Sequence, residues 1–320
     1  MVEKRGDADA RLVEGERRRL LGLAYRMLGT VSEAEDAVQE AYLRWYRLDD
    51  GERAAIANPA GWLTRVTSRI CLDMLGSARA RRERYVGQWL PEPVPTSLFA
   101  GDAVGRGPDT GDPLDRVTLD ESVSTALLVV LEAMTPAERV AFVLHDVFGY
   151  PFDEIAAIVG RSPTATRQLA SSARRRIRSE HIRPVDPAEH ARLVRAFEDA
   201  STRGDLDALT AVLDPAVSLR SDGGGIVKAA LNPITGAAKV ARFLLGVLAK
   251  NPTVRLAPLT TPDGPALALT DGEEVTGVIN VGADRGRITR VWIQWNPHKL
   301  TRWAGGRPQD TSPDQSPPGG

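Results

Sequence analysis

The chain has 320 residues, 42% of them hydrophobic, with 41 Lys+Arg against 42 Asp+Glu for a formal charge of −1. That is length for two or three domains, and the single cysteine, Cys71, excludes an intramolecular disulfide and any multi-cysteine metal site. No run approaches the ~18 apolar residues of a membrane span, and the charged start MVEKRGDADARL lacks the apolar segment of a secretory signal, so a reducing cytoplasm is expected.

The near-neutral total averages opposite local charges. Gly61 to Arg84 holds six Arg against Asp73 and Glu83, net +4. Arg161 to Arg183 holds seven Arg against Glu180, net +6. Gly101 to Glu121 between them holds six acids and two Arg, net −4.

In chain order, the pattern is helical up to about Tyr85. In TVSEAEDAVQEAYLRWYRL, Ser32 with Glu35 three residues on is a capping-box signature. Ala34, Val38, Ala41 and Trp45 fall at helical spacing toward a core. Asn58-Pro59 reads as an N-cap followed by proline at the first helical position. The helix it opens buries Leu63, Val66, Ile70 and Met74 or Leu75. Residues 89–115 are rich in Pro, Gly and Asp and lack periodicity, the pattern of a linker. Its first five residues, Trp89 to Pro93, are more apolar and suited to docking.

Helical patterning resumes near Leu119 and runs to 183, with Thr135, Pro136 and Glu138 marking another capped start. PFDEIAAIVG-RS-PTATRQLASSARRRIR predicts helix, short turn, helix: Gly160 closes the first and Ser162-Pro163 caps the second. On the second helix Thr166, Leu169, Ala170, Ala173 and Ile177 share one side. Thr164, Gln168, Ser171 and Arg175 lie opposite, and Arg167, Arg174 and Arg178 form a flank. Small residues at Ala156 and Gly160 let the two helices cross closely, the geometry that sets a second helix into a DNA major groove. Arg175 and Gln168 then reach base edges and the arginine flank suits phosphates. Arg176 falls toward the inward edge. The alternative is an arginine-rich helix end favoured by the macrodipole.

Past residue 184 the pattern changes. Helices are expected at Pro187 to Arg203 and Asp205 to Leu213. AVSLRSDGGGIV reads as strand, turn, strand, and GAAKVARFLLGVLAK as an amphipathic helix. TVRLAPLT, ALALTD, EVTGVINVG and ITRVWIQWN are strand candidates, with DGEE and ADRGR as hairpin turns. The fold class is therefore multidomain: two all-α domains, then an α+β domain of helices on a curved antiparallel sheet. Residues 304–320 have the composition of a disordered tail.

Two separated segments together resemble the sigma-70 family of bacterial transcription initiation factors in its extracytoplasmic-function (ECF) form. LLGLAYRMLGTVSEAEDAVQEAYLRWYRL with NPAGWLTRVTSRICLDMLGSARARRERY resembles region two. MTPAERVAFVLHDVFGYPFDEIAAIVGRSPTATRQLASSARRRI resembles region four. The resemblance implies region two at 1–88, a linker at 89–115, region four at 116–183, a further domain at 184–303 and a tail at 304–320. It implies core RNA polymerase as partner, through the β-prime clamp helices and the β flap, and promoter DNA. Asp36, Gln39 and Glu40 would bind the clamp helices; without the resemblance they read as a solvated face. Trp62, Arg65, Arg69, Arg79, Arg81 and Arg82 would face the melted −10 element, where an aromatic stacks on bases and arginines take phosphates. Core packing of Trp62 is the alternative. The loop Asp49 to Asn58 would hold a flipped −10 base. Arg167, Gln168, Ser171, Arg174 and Arg175 would read the −35 duplex.

The last domain resembles the SnoaL-like group of the nuclear-transport-factor-2-like superfold, a cone of helices on a curved sheet. Some ECF sigma factors carry such a domain with WLPEP, DGGG and NPxKL motifs. Here these are Trp89, Leu90, Pro91, Glu92 and Pro93; Asp222, Gly223, Gly224 and Gly225; and Asn296, Pro297, Lys299 and Leu300. Ile226 stands where the pattern has lysine, and His298 where an acid is common. These motifs would carry an intramolecular regulatory contact. A pocket could be lined by Arg220, Asp222, Lys228, Arg290, Trp292 and Gln294, the last three sharing one strand face. No catalytic set, metal or cofactor is expected. A DNA-binding regulator that senses a small ligand in the cone is the alternative, and an enzyme carrying a DNA-binding appendage is a third reading.

Overall fold

The computed structural model describes residues 2–82, 85–99, 124–180 and 185–303, with backbone alone for 2–12 and 78–82. The expected tail and the linker beyond residue 99 lie outside the described residues. The chain divides into Met1–Pro184 and Val185–Gly320.

The first unit is helical: α1 (Val2–Leu28), α2 (Val31–Arg47), α3 (Asp50–Ala55), α4 (Pro59–Arg82), α5 (Thr125–Glu132), α6 (Pro136–Phe142), α7 (Phe152–Val159) and α8 (Pro163–Ser179). A π-helical turn, Val143–Val147, continues α6. The two segments drawn from sequence as separate domains share one apolar core. It runs from Val13 through Trp45, Leu63 and Cys71 to Leu131, Leu144, Ile155 and Ala173.

Several local signals fold as their chemistry requires. Thr135 and Glu138 close a capping box on α6, Gly160 ends α7 at φ 66°, and Ser162 Oγ accepts from the Ala165 amide. Two expectations are corrected. The stretch expected as a loop at 49–58 holds α3, capped reciprocally by Asp49 and Glu52. And α2 begins not at Ser32 but at Val31, with Thr30 at its N-cap. Thr30 Oγ1 donates to Glu33 Oε2 at 2.9 Å. The first amide of α2, on Val31, donates to Glu92 Oε2 at 2.7 Å.

Glu92 is 4% exposed, and its surroundings explain that burial. Its amide donates to the Gly29 carbonyl at 2.9 Å, and its own carbonyl accepts from the Tyr25 hydroxyl at 2.6 Å. Gly29 sits at φ 83°, where a Cβ would come within 2.6 Å of the Trp89 ring. The apolar start of the linker is thus a strap across the α1–α2 junction.

Cys71 is fully buried in α4, and burial pushes its thiol up. Since the thiolate is the reactive form, Cys71 should resist a water-soluble disulfide reagent in the native chain and react only on unfolding. Labelling within mixing time in native buffer would show that α4 packs loosely.

The second unit contains α9 (Pro187–Arg203), α10 (Leu206–Val212), β1 (Leu213–Asp222), β2 (Ile234–Thr235), α11 (Ala237–Lys250), β3 (Val254–Thr261), β4 (Gly264–Asp271), β5 (Glu274–Asp284) and β6 (Arg287–Gln294). The sheet order is β2-β1-β6-β5-β4-β3. Register shifts interrupt three pairings, at Leu213/Ser218, Leu269/Thr270 and Gly282/Ala283, and such irregularities bend a sheet. The helices cover one face through Leu193, Phe197, Leu209, Val240 and Leu244.

The sheet is mixed, not wholly antiparallel, because β1 pairs in parallel with β6. The hairpin expected after β1 does not form either. Gly223 to Val227 make a turn, and β1's antiparallel partner is the two-residue β2. Among the described residues no helix is long and apolar enough to cross a membrane.

Candidate nucleic-acid interface

On α2 the inward positions Ala34, Ala37, Val38, Ala41 and Trp45 are buried, which turns Asp36 and Gln39 to solvent. Glu40 is half-buried and accepts from Arg44 Nε at 2.9 Å. Sequence reasoning passed over Leu43 and Tyr46, each 51% exposed. They stand seven residues after Asp36 and Gln39, two helical turns on along the same face. An apolar pair repeating an acidic pair at that spacing was the available signal.

On α4, Arg65 is exposed. Trp62 is half-buried, its ring 5.3 Å from that of Trp45 and edge-on, so it packs against the core while keeping part of its surface. Arg69 Nη1 donates to the Ile158 carbonyl of α7 at 2.7 Å. Arg79, Arg81 and Arg82 occupy the end of α4, and their side chains lie outside the described residues. Asn58 Oδ1 caps α4 by accepting from the Gly61 amide at 2.9 Å. Beside it is a cleft of about 410 Å³ whose walls include Arg19, Gly61, Tyr150 and Glu154.

On α8, Thr166, Ala170 and Ala173 are buried, while Arg167, Gln168, Ser171 and Arg175 are exposed together. The polar face expected from the helical wheel therefore exists. Ser172, on the edge, donates to Glu138 Oε1 at 2.7 Å and ties α8 to α6. Burial alone would raise the Glu138 carboxyl, but the bonds from Ser172 and Thr135 outweigh it and hold it below its ordinary value.

Arg174 is the exception to the wheel. Its Nε donates to Asp146 Oδ1 at 2.6 Å, and the Asp146 side chain is 3% exposed. Arg174 is thus the counter-ion of a buried carboxylate. Arg176 donates to the Ala133 carbonyl, as its inward position suggested.

In the second unit the DGGG and NPHKL motifs meet one another. Asp222, fully buried, accepts from Lys299 Nζ at 2.8 Å and from Gln294 Nε2 at 3.4 Å. Its other oxygen accepts from the Gly224 amide at 3.0 Å. A Cβ on Gly224, at φ 65°, would lie 2.5 Å from the Asn296 side-chain amide.

The pocket expected in this unit has a different lining. Ile293 and Trp295 face the cavity with Phe197, Leu244 and Leu256. Arg290, Trp292 and Gln294, which alternate with them, point to the other face of the sheet. Arg220 and Lys228 are exposed. The cavity measures about 10 Å³, room for about one water molecule.

Residues 12–81 match the family model for sigma-70 region 2, and residues 124–177 the model for sigma-70 region 4. The ECF RNA polymerase sigma factor SigJ of Mycobacterium tuberculosis H37Rv is 44% identical over 303 residues, covering 90% of this chain and 92% of that protein. The probable ECF RNA polymerase sigma factor SigI of the same strain is 40% identical over 283 residues, 88% and 91% of the two chains. The crystal structure of M. tuberculosis SigJ superposes with a TM-score of 0.66 at 35% identity, over 92% of this chain and 98% of that one.

Proposed function

The chain belongs to the extracytoplasmic-function sigma factors of the sigma-70 family, RNA polymerase factors for promoter-specific initiation, and on that premise we propose how its surfaces divide the work. The observation that carries the reading is the face of α8, where Arg167, Gln168, Ser171 and Arg175 stand exposed opposite buried Thr166, Ala170 and Ala173. Arg175 and Gln168 are of the type that reads base edges in a major groove. Arg167 takes phosphate, and Arg174, already paired, supports the helix. This surface meets the −35 duplex, and region four rests on the β flap.

Asp36, Gln39 and Glu40 meet the β-prime clamp helices, with Leu43 and Tyr46 extending that contact. Trp62, Arg65, Arg69, Arg79, Arg81 and Arg82 serve the melted −10 strand. The exposed part of Trp62 would give a base a surface to stack on, and the cleft beside Asn58 would receive a flipped base. The protein acts in the cytoplasm, with polymerase.

The C-terminal unit regulates in cis without catalysis. The motifs Trp89 to Pro93, Asp222 to Gly225 and Asn296 to Leu300 set this control. Each builds a defined local structure, which regulation through shape requires.

The test is run-off transcription with core RNA polymerase and a promoter selected from a randomised library by the full chain. Output that depends on the added chain is expected. Removing residues 185–320 should change promoter output relative to the full chain. Cutting the chain before Asn296 is a poorer test, because loss of Lys299 takes the ammonium away from buried Asp222. If the truncated and full chains give equal output, the cis-regulatory reading fails. If polymerase output is independent of the chain, the initiation reading fails.

A further inference from the structure

The π-helical turn Val143–Val147 sets one side chain, Asp146, against α8 and its neighbour, His145, against α7. A π turn inserts one extra residue into a helix and is frequent at functional sites. Here the Phe148 amide reaches back to the Val143 carbonyl at 3.2 Å. Asp146 takes Arg174. His145, its neighbour, turns under α7: its ring stacks on Phe152 with centroids 3.8 Å apart and planes at 27°. His145 Nδ1 lies 2.9 Å from the Tyr150 carbonyl. A carbonyl only accepts, so Nδ1 carries the proton and the ring's orientation is fixed.

A second neighbour of Phe152 is an arginine. The Arg167 guanidinium carbon lies 5.5 Å from the centre of the Phe152 ring, within the range of a cation–π contact. Imidazole, phenyl and guanidinium thus form a chain of contacts from the π turn to the exposed face of α8. Arg167 and Arg174, two turns apart on one flank, are both supported from consecutive residues of that turn.

We propose that Phe152 is a positioning residue for promoter recognition: seated on His145, it holds the Arg167 guanidinium in the orientation in which it meets the −35 element. The proposal rests on the reading of α8 as the −35 surface. A free arginine side chain loses much rotamer freedom on binding, so a guanidinium already held in place binds DNA at less entropic cost. Phe152 touches no DNA in this scheme and acts through Arg167 alone.

The experiment uses the full chain with core polymerase on the selected promoter and on its −35-scrambled counterpart, comparing Phe152→Leu, Phe152→Tyr, Arg167→Met and the double variant Phe152→Leu/Arg167→Met. The contact of an exposed cation with an aromatic ring corresponds to about two- to fivefold. Phe152→Leu should therefore lower the ratio of selected to scrambled output by that factor. Phe152→Tyr should keep it. Phe152→Leu should cost nothing further once Arg167 is methionine. A merely structural role predicts otherwise, with leucine and tyrosine tracking thermal stability and the two losses multiplying; either outcome overturns the positioning role. If Arg167→Met alone leaves the ratio unchanged, the DNA contact on which the proposal rests is absent and the proposal falls with it.

Discussion

Lys299→Met is expected to lower the unfolding free energy of the C-terminal unit by about 3–5 kcal/mol, the usual cost of removing one partner from a buried ion pair. Asp222 has no exposed surface and Lys299 is 6% exposed. Their 2.8 Å contact stands where β1 ends and the chain leaves β6. Without the ammonium, a buried carboxylate loses the Lys299 charge, which neutral donors such as the Gly224 amide and Gln294 do not replace. Urea unfolding of the full chain measures this. The two units should be resolved as separate transitions, since a multidomain chain does not unfold in one step. The double variant Asp222→Leu/Lys299→Met should recover much of the loss. A cost below about 1 kcal/mol for Lys299→Met would match an exposed pair and show that water reaches the site.

Asp36→Arg should bring polymerase-dependent run-off down by at least tenfold at limiting polymerase. Setting a like charge against a basic partner surface costs several kcal/mol. The substitution lies on the exposed face of α2, so the fold should survive it, and the variant should still bind the selected −35 duplex. Glu40→Gln should do less harm, because Glu40 is already engaged by Arg44. Undiminished run-off from Asp36→Arg would remove α2 from the polymerase interface.

How much of this was legible in the sequence depends on how local its cause is. The capping box of Thr135 and Glu138, the left-handed Gly160 and the Ser162 cap are each set within a few residues, and each stands as read. The polar face of α8 follows from helical geometry, and the two helical segments with their motifs were enough to point to the family. The misreadings share a long-range cause. Ser32 and Glu35 fit a capping box by spacing, but α2 takes its first acceptor from Glu92, 61 residues on. In place of the hairpin expected after β1, the chain turns at Gly223 to Val227, and β1 is flanked by the two-residue β2 and, in parallel, by β6 some seventy residues away. Alternation along β6 placed Arg290, Trp292 and Gln294 together; which way they faced was settled by the helices that cover the opposite side. The wheel put Arg174 at the right angle, but a π turn leaves no signature in composition, and it is that turn which brings Asp146 to claim the arginine.

The strap formed by Trp89 and Glu92 bears on where the chain can be cut. A fragment ending at residue 88 looks like a complete region two by its motifs. It would take the acceptor from the Val31 amide, the donor from the Gly29 carbonyl and the acceptor from the Tyr25 hydroxyl. All three are at the root of α2, the helix assigned to polymerase. It would also bare the glycine that the Trp89 ring covers. A piece carrying that helix must keep the chain through Phe99, which is buried in the same core and packs on the Tyr25 ring. The stretch that reads as the start of a linker is therefore built into the core of the first unit, and a cut ahead of it removes structure.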